Sequence, residues 1–410
     1  MAKNVRNFVN RAFMRTVDLD LLQELLEPYA TAMAFAWDDL PADEAARREA
    51  LFDLFKNQGE RFPDPLLDAL HCILILSNPN GQRALEEIAA LNGVQLVPEG
   101  QLDAPDDGRQ MTPRHLALHA YLRHPQIFQK AVHRHALFAA SPLRLVGARR
   151  GVCSRHDEWQ AQEAFRAACS AFFARRYQGR ICEVYWYPEA EAVNVIVEHG
   201  MNAITTTVEE AGEQKVRNIR EMTLDTICYE PIAGHIKVNA RSPIERRALV
   251  SLFAQYLLGE PDFFTRPGSD RLYTLRPLQQ KGVAWQFLND WDEELREVFV
   301  KEIEVDEADP DRASPGGSPW RLTVWDNENA LARLSEMVPG IDLATLRISH
   351  LKLLLRFDVD GRRQDVMVTI RPHNVVSFRD HMFEARIFQH LRHNGLSEAM
   401  PSLQLAAAAA

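Results

Sequence analysis

The chain has 410 residues, 46% hydrophobic and 25% charged, which excludes disorder for most of its length and allows two or three globular domains. Its net charge of −10 is unevenly spread: the stretch from Asp290 to Arg312 holds 11 acids and 3 bases, a local −8, so the remainder is near neutral and lacks the basic balance of a nucleic-acid binder. Five widely spaced cysteines without a C-x-x-C pair suggest neither a disulfide framework nor a zinc ribbon, and the longest apolar run, Leu66–Leu76, is too short for a bilayer and contains Asp68 and His71; a cytoplasmic protein without membrane contact is expected.

Residues 1–178 read as a helical domain. Lys3, Arg6, Arg11 and Arg15 precede the first acid, but Phe8, Val9, Phe13 and Met14 among them read as the packed face of a first helix rather than as a targeting segment. Leu21, Leu22, Leu25 and Leu26 make a helical stripe before Pro28, and Ala46–Phe55 and Leu66–Leu76 continue it. Asn78-Pro79-Asn80-Gly81 reads as a turn and Pro98–Gly108 as an acidic loop. Thr112-Pro113 opens a helix with a hydroxyl at the N-cap and proline at the first helical position, and His124-Pro125 breaks it and starts another. Ser154 with Asp157 approximates a capping box for a long helix through Trp159, Phe165, Cys169 and Phe172.

Near residue 178 the apolar period changes from helical to alternating. Residues 179–396 are therefore expected to form an α+β domain, a mainly antiparallel sheet with a few packed helices, followed by a 397–410 tail whose final alanines carry no function. Strands are predicted at Ile181–Tyr187, Ala192–Glu198, Ala203–Val208, Thr223–Tyr229, His235–Asn239, Val298–Val305, Arg321–Trp325, Leu346–Asp358 and Asp365–Ile370. Helices are predicted at Pro243–Leu258, Asn327–Met337 and Asp380–His393. Tyr229 to Val238 reads as a hairpin turning at Pro231 and Gly234, and Asp306–Pro319 as a flexible, protease-sensitive loop.

No nucleotide loop, metal cluster or nucleophile signature stands out, so no cofactor and no metal are expected. His115 and His119, four apart on a helix, have a metal-ligand spacing but lack the usual intervening glutamate. Arg114 and His119 form an R-x4-H pair that resembles the catalytic pair of HEPN ribonucleases, where such residues polarise a phosphodiester and move a proton; Arg386 and His393 repeat it at R-x6-H. Asp225, Glu230 and Lys237 resemble a PD-(D/E)xK nuclease set, except that the acid required two before the lysine is His235. Cys153 and His156 have no oriented acid to complete a nucleophile. Arg144, Arg149, Arg150 and Arg155 form the densest basic run, suited to phosphates or an acidic partner.

Three segments, Thr112-Pro-Arg-His-Leu-Ala-Leu-His-Ala-Tyr-Leu-Arg-His-Pro, the Tyr229 hairpin followed by Leu252-Phe-Ala-Gln-Tyr-Leu-Leu-Gly, and Val368-Thr-Ile-Arg-Pro-His-Asn, together resemble large uncharacterised bacterial proteins encoded in defence-type, anti-phage or CRISPR-associated, gene clusters. The resemblance is one of layout, transfers no catalytic residue, and implies a prokaryotic stress or defence pathway. The expected function is accordingly a non-enzymatic adaptor or regulator. Its acidic strand and loop, with Glu302, Glu304, Asp306, Glu307 and Asp309, would steer a basic protein partner. The alternatives are a nucleic-acid binder using the Arg144–Arg155 loop and a winged unit with helix Asp380–His393 as its reading helix, and a HEPN-like ribonuclease.

Overall fold

The computed structural model describes residues 8–57, 62–96, 112–138, 142–210, 212–307, 320–359, 361–378 and 381–397. Described residues up to Phe138 form one compact unit and those from Pro142 onward a second. The first contains helices α1 (Arg11–Thr16), α2 (Leu19–Leu26), α3 (Glu44–Asn57), α4 (Asp64–Leu76), α5 (Pro79–Leu91), α6 (Pro113–Arg123) and α7 (Pro125–Ala136). Their apolar stripes meet in a core where Phe8, Leu22, Leu26, Leu66, Leu70 and Ile73 are fully buried. Each such side chain contributes about 1.5–3 kcal/mol of transfer free energy. The N-terminal Phe8, Val9, Phe13 and Met14 do pack into this core.

Asn78-Pro79-Asn80-Gly81 is a helix start rather than a free turn. The Asn78 side chain accepts the Gly81 N–H at 3.0 Å, Pro79 occupies the first turn, and a Cβ on Gly81 would lie 2.2 Å from the Leu76 carbonyl oxygen.

The second unit contains two five-stranded antiparallel sheets. The first has the order β1-β7-β6-β3-β2, from β1 (Leu143–Val146), β2 (Cys182–Pro188), β3 (Val193–Gly200), β6 (Met222–Glu230) and β7 (His235–Asn239). Between β3 and β6, β4 (Ile204–Glu210) and β5 (Glu213–Ile219) pair, among the described residues, only with each other. Helices α8 (Trp159–Arg175) and α9 (Pro243–Phe253) bury Phe165, Cys169, Phe173, Leu249 and Phe253 with the alternating Val193, Val195 and Val197 of β3. Helix α10 (Arg276–Lys281) leads to the second sheet, of order β12-β11-β10-β8-β9. It is built from β8 (Leu295–Glu307), β9 (Arg321–Trp325), β10 (Leu346–Val359), β11 (Arg362–Arg371) and β12 (Val375–Ser377), with α11 (Ala330–Met337) and α12 (Glu384–His393). Ile303, Val305, Leu351, Leu353, Leu355, Val366, Val368 and Ile370 alternate onto its buried face.

The α+β class holds, with helices first and antiparallel sheets after. The division falls at Phe138/Ala139, however, and not at 178. Residues 142–178 belong with the sheets because β1 pairs with β7 and α8 packs its apolar face on the first sheet. A helical period identifies a helix without saying which core it covers. The expected capping box at Ser154 is also absent: α8 starts at Trp159, and the Ser154 hydroxyl bonds His156 Nδ1 at 3.0 Å. The Asp306–Pro319 loop lies, beyond residue 307, outside the described residues. Among the described residues no helix is long and apolar enough to cross a membrane.

Candidate interaction surface

The acidic strand carries its outward charge in pairs with neighbouring strands, not free as expected. Glu302, Glu304 and Asp306 alternate onto one face of β8, and the register places them opposite Lys352, His350 and Arg347 of β10. Both arms of the Arg347 guanidinium donate to the Asp306 carboxylate at 2.7 Å, and Arg321 of β9 lies 3.8 Å away. Asp306 is only 6% exposed, and the Arg347 hydrogen bonds hold its carboxyl below the ordinary range. Glu304 accepts from Ser349 Oγ at 2.6 Å and pairs with Arg321 at 3.4 Å, while Glu302 pairs with Lys352 at 3.4 Å. Further along, Arg356 bridges Glu297 and Asp365, and Arg386 bridges Asp292 and Glu294. Six of the eleven acids in this stretch, Asp292, Glu294, Glu297, Glu302, Glu304 and Asp306, are thus met by bases on neighbouring elements. Only the backbone of Glu307 is described, pairing with Leu346, and Asp309 lies outside the described residues.

The basic run is likewise engaged. Arg144 lies on β1, with its guanidinium 4.4 Å from the Phe388 ring centre and 3.1 Å from Glu384, which also takes Lys237 at 3.1 Å. Arg149 grips Glu260, and Arg155 donates to the Tyr256 carbonyl at 2.7 Å. Arg150 alone of the four makes no hydrogen bond or ion pair among the described residues and is exposed. Helix α12 buries Ile387, His390 and Leu391 and commits Glu384 and Arg386 to internal pairs, while Gln389, Arg392 and His393 on its other face are exposed.

On α6, Arg114 and His119 are five residues apart, about 500° of helical rotation, so they leave the helix in different directions. Arg114 stands 5.4 Å over the Phe13 ring, and His119 lies 5.7 Å from the His124 ring. Burial lowers the pKa of both. His115 is structural. Its Nδ1 accepts the Thr112 N–H at 3.1 Å, closing the cap, and Nε2 meets Thr16 Oγ1 at 3.1 Å. Burial, then the nearby Arg114 charge, pushes its pKa down to about 4. No cluster of His, Cys, Asp and Glu able to hold a metal occurs among the described residues.

The nuclease-like triplet is split by the pleat. Asp225 is opposite Val197, on the face that packs under α8, whereas Lys237 is opposite Cys228 on the other face. Asp225 instead meets His199 Nε2 at 3.0 Å, with His199 Nδ1 on the Gly200 carbonyl at 2.8 Å and its ring stacked 3.5 Å from Phe173. Burial raises the Asp225 pKa. With both imidazole nitrogens occupied, this pair braces the sheet and has none left for a substrate proton.

Sequence reading missed the β4–β5 ribbon as a unit, because β5, Glu-Gln-Lys-Val-Arg-Asn-Ile, has little apolar alternation. The ribbon is about 23 Å long at seven residues per arm. No described side chain from Ile204 to Ile219 is buried; Ile204 is 54% exposed and Val216 69%. Ile204 and Ile219 sit directly opposite each other at its root, close in sequence to exposed Met222. Arg220 fastens that root, donating from Nη1 to the carbonyls of Tyr177 at 2.6 Å and Met201 at 2.5 Å. Gly200 leaves room for it: a Cβ there would lie 2.7 Å from Arg220 Cδ.

Compared with known proteins, the chain matches no protein-family model and no curated protein.

Proposed function

We propose that the protein acts by binding another protein, as a non-enzymatic adaptor or regulator, and that the β4–β5 ribbon is the contact. The observation that carries this reading is a two-stranded ribbon with every described side chain at least partly exposed and two open backbone edges. Such a hairpin is marginal alone in water, and unpaired edges with exposed isoleucine and valine are the features that strand addition uses. Engagement of the acidic strand and of three loop arginines in internal pairs moves the contact away from both charged segments. The layout resemblance to defence-cluster proteins is the ground for placing the partnership in a stress or defence pathway.

The test is a paired substitution, Ile204→Asp with Val216→Asp, scored by recovery of a cross-linked partner from the native host. Partner recovery should fall at least tenfold with the thermal transition unchanged. Full recovery with the double variant rejects the ribbon as contact. Loss of biological activity in folded Arg114→Ala or His119→Ala protein favours the ribonuclease alternative instead.

A further inference from the structure

Exposed apolar side chains gather where the β4–β5 ribbon joins the first sheet. Arg220 fixes the geometry. Besides its bonds to the Tyr177 and Met201 carbonyls, its stem lies against Gly200 and Gly179, where a Cβ would stand 2.7 Å and 3.1 Å from Cδ. Met222 is opposite Gly200, and Ile181 runs into β2 one residue before Cys182, itself opposite His199. Ile219 precedes Arg220 and faces Ile204 across the ribbon. The five side chains brought to this spot, Tyr177, Ile181, Ile204, Ile219 and Met222, range from 84% exposed at Tyr177 to 44% at Met222. Single exposed hydrophobics are ordinary, whereas a contiguous group marks a contact.

Tyr177 is held there against its backbone preference. It takes the C′ position after α8 with φ +62°, its N–H donating to the Ala174 carbonyl at 3.1 Å and the Gln178 N–H to the Phe173 carbonyl at 3.0 Å. That left-handed position normally takes glycine, because a Cβ crowds the following carbonyl. A tyrosine whose side chain stands almost wholly in solvent gains no packing in return, so the strain points to a contact outside the chain. Around it, residues 175–181, 200–204, 219–222 and 241 carry five arginines, Arg175, Arg176, Arg180, Arg220 and Arg241, and one acid, Glu221. Arg241 Nη1 lies 3.2 Å from Met201 Sδ and the Arg176 guanidinium 5.7 Å from the Phe172 ring centre; among the described residues none of the five pairs with a carboxylate. Arg144, Arg149, Arg347 and Arg386, by contrast, each hold one.

Resting on the reading of the ribbon as a protein contact, we propose that its root docks an acidic, apolar-bearing segment of the partner protein. Apolar side chains of that segment cover Tyr177, Ile181 and Met222. Its carboxylates meet the guanidiniums of Arg175, Arg180 and Arg241, whose planar forks match a carboxylate through two parallel hydrogen bonds. Tyrosine and arginine are also the residue types that carry most of the binding energy where proteins meet. A single-stranded nucleic acid would answer the charge but not the aliphatic majority, since of the five apolar side chains only Tyr177 offers a ring for a base to stack on.

The experiment is fluorescence anisotropy of the intact protein with three labelled peptides of equal length: one interleaving Leu and Phe with Asp and Glu, one with Lys at the acidic positions, and one with Ser at the apolar positions. Oligouridylate and phosphatidylglycerol vesicles are the rival anionic occupants. The acidic, apolar peptide should bind saturably, one per chain, about tenfold or more tighter than the other peptides and both rivals, and more weakly as salt rises. Arg175→Glu combined with Arg180→Glu, at two exposed positions, should weaken it about tenfold, and Tyr177→Gly about fivefold. The melting temperature of Tyr177→Gly should stay level or rise, because glycine suits the left-handed position. The proposal fails if the acidic peptide does not bind at millimolar concentration, if the Lys peptide, the Ser peptide, oligouridylate or the vesicles bind as tightly, or if either folded variant binds with unchanged affinity. Val216→Asp, up the ribbon from Ile219, separates this failure from that of the ribbon itself. Partner recovery lost with Val216→Asp but kept with the arginine pair reversed rejects the acidic segment alone, and the opposite pattern rejects the ribbon.

Discussion

Ile204 on β4 and Ile303 on β8 are both isoleucines in antiparallel strands, yet Ile204 is 54% exposed and Ile303 fully buried. The two strands differ in their neighbours. β8 is flanked by β10 and in part by β9, carries α11 nearby, and has each outward acid from Glu302 to Asp306 answered from an adjacent strand. Among the described residues β4 pairs with β5 and with no other strand. Charge and hydrophobicity in a segment therefore become surface properties only when adjacent elements leave them unanswered. By that criterion Glu302, Glu304 and Asp306 are structural and the weakly patterned ribbon is the exposed one.

The strongest way to probe the contrast is the same truncation on both strands. Ile303→Ala should cost about 2–5 kcal/mol, the range for emptying a packed site, whereas Ile204→Ala should stay within about 0.5 kcal/mol. Chemical denaturation of both variants checks this, and similar losses would mean the ribbon is packed in solution.

Acid should act on the second-sheet side of the molecule and spare the ribbon. His390 on α12 is fully buried beside the Phe287 and Trp291 rings, and burial, with His393 nearby, lowers its pKa to about 4. A histidine kept neutral by folding lets the unfolded chain, with a pKa near 6.5, take the proton first. Stability is thus full above about pH 6.5 and falls as the pH drops to about 4, by roughly 3 kcal/mol for this group. Thermal melts at pH 7, 5.5 and 4.5 should show the loss, and His390→Gln should flatten it. His115 in the helical unit acts in the same direction.

Asp306→Asn should destabilise by about 1.5–3 kcal/mol, because it leaves Arg347 and Arg321 facing a neutral group at a site that is largely buried. The Asp306 contribution is present above the unfolded carboxylate pKa and is lost as the pH falls through the lower folded value. A substitution without cost, measured by urea unfolding, would restore the acidic strand as a free surface. A small effect on stability is expected of Arg220→Ala. Melting should shift by less than about 1 kcal/mol equivalent, while amide exchange across Ile204–Ile219 accelerates as the root loosens.

Much of the sheet region was legible locally. His235–Asn239 and Arg321–Trp325 were predicted with the bounds they have, since alternation and flanking turn residues report strand period directly. The hairpin at Pro231 and Gly234 also forms, with Glu230 opposite His235 and φ +68° at Gly234. The Thr112 cap was readable, though its N3 partner proved to be a histidine. The candidate site was not legible, because no motif marks the ribbon and many of the charges that do stand out, Asp306 and Arg149 among them, are internally paired.

The sequence by itself determined the helical and strand periods, the order of helices before sheets, the principal turns and the absence of a long apolar span. These depend on interactions within a few residues. Tertiary structure alone decided that α8 serves the sheet unit, that Asp225 and Lys237 lie on opposite faces, that Arg347 answers Asp306 across 41 positions, and that β4 and β5 remain uncovered. Each of those outcomes depends on which distant strand supplies the neighbour, and strand partnership carries no signature in the local period.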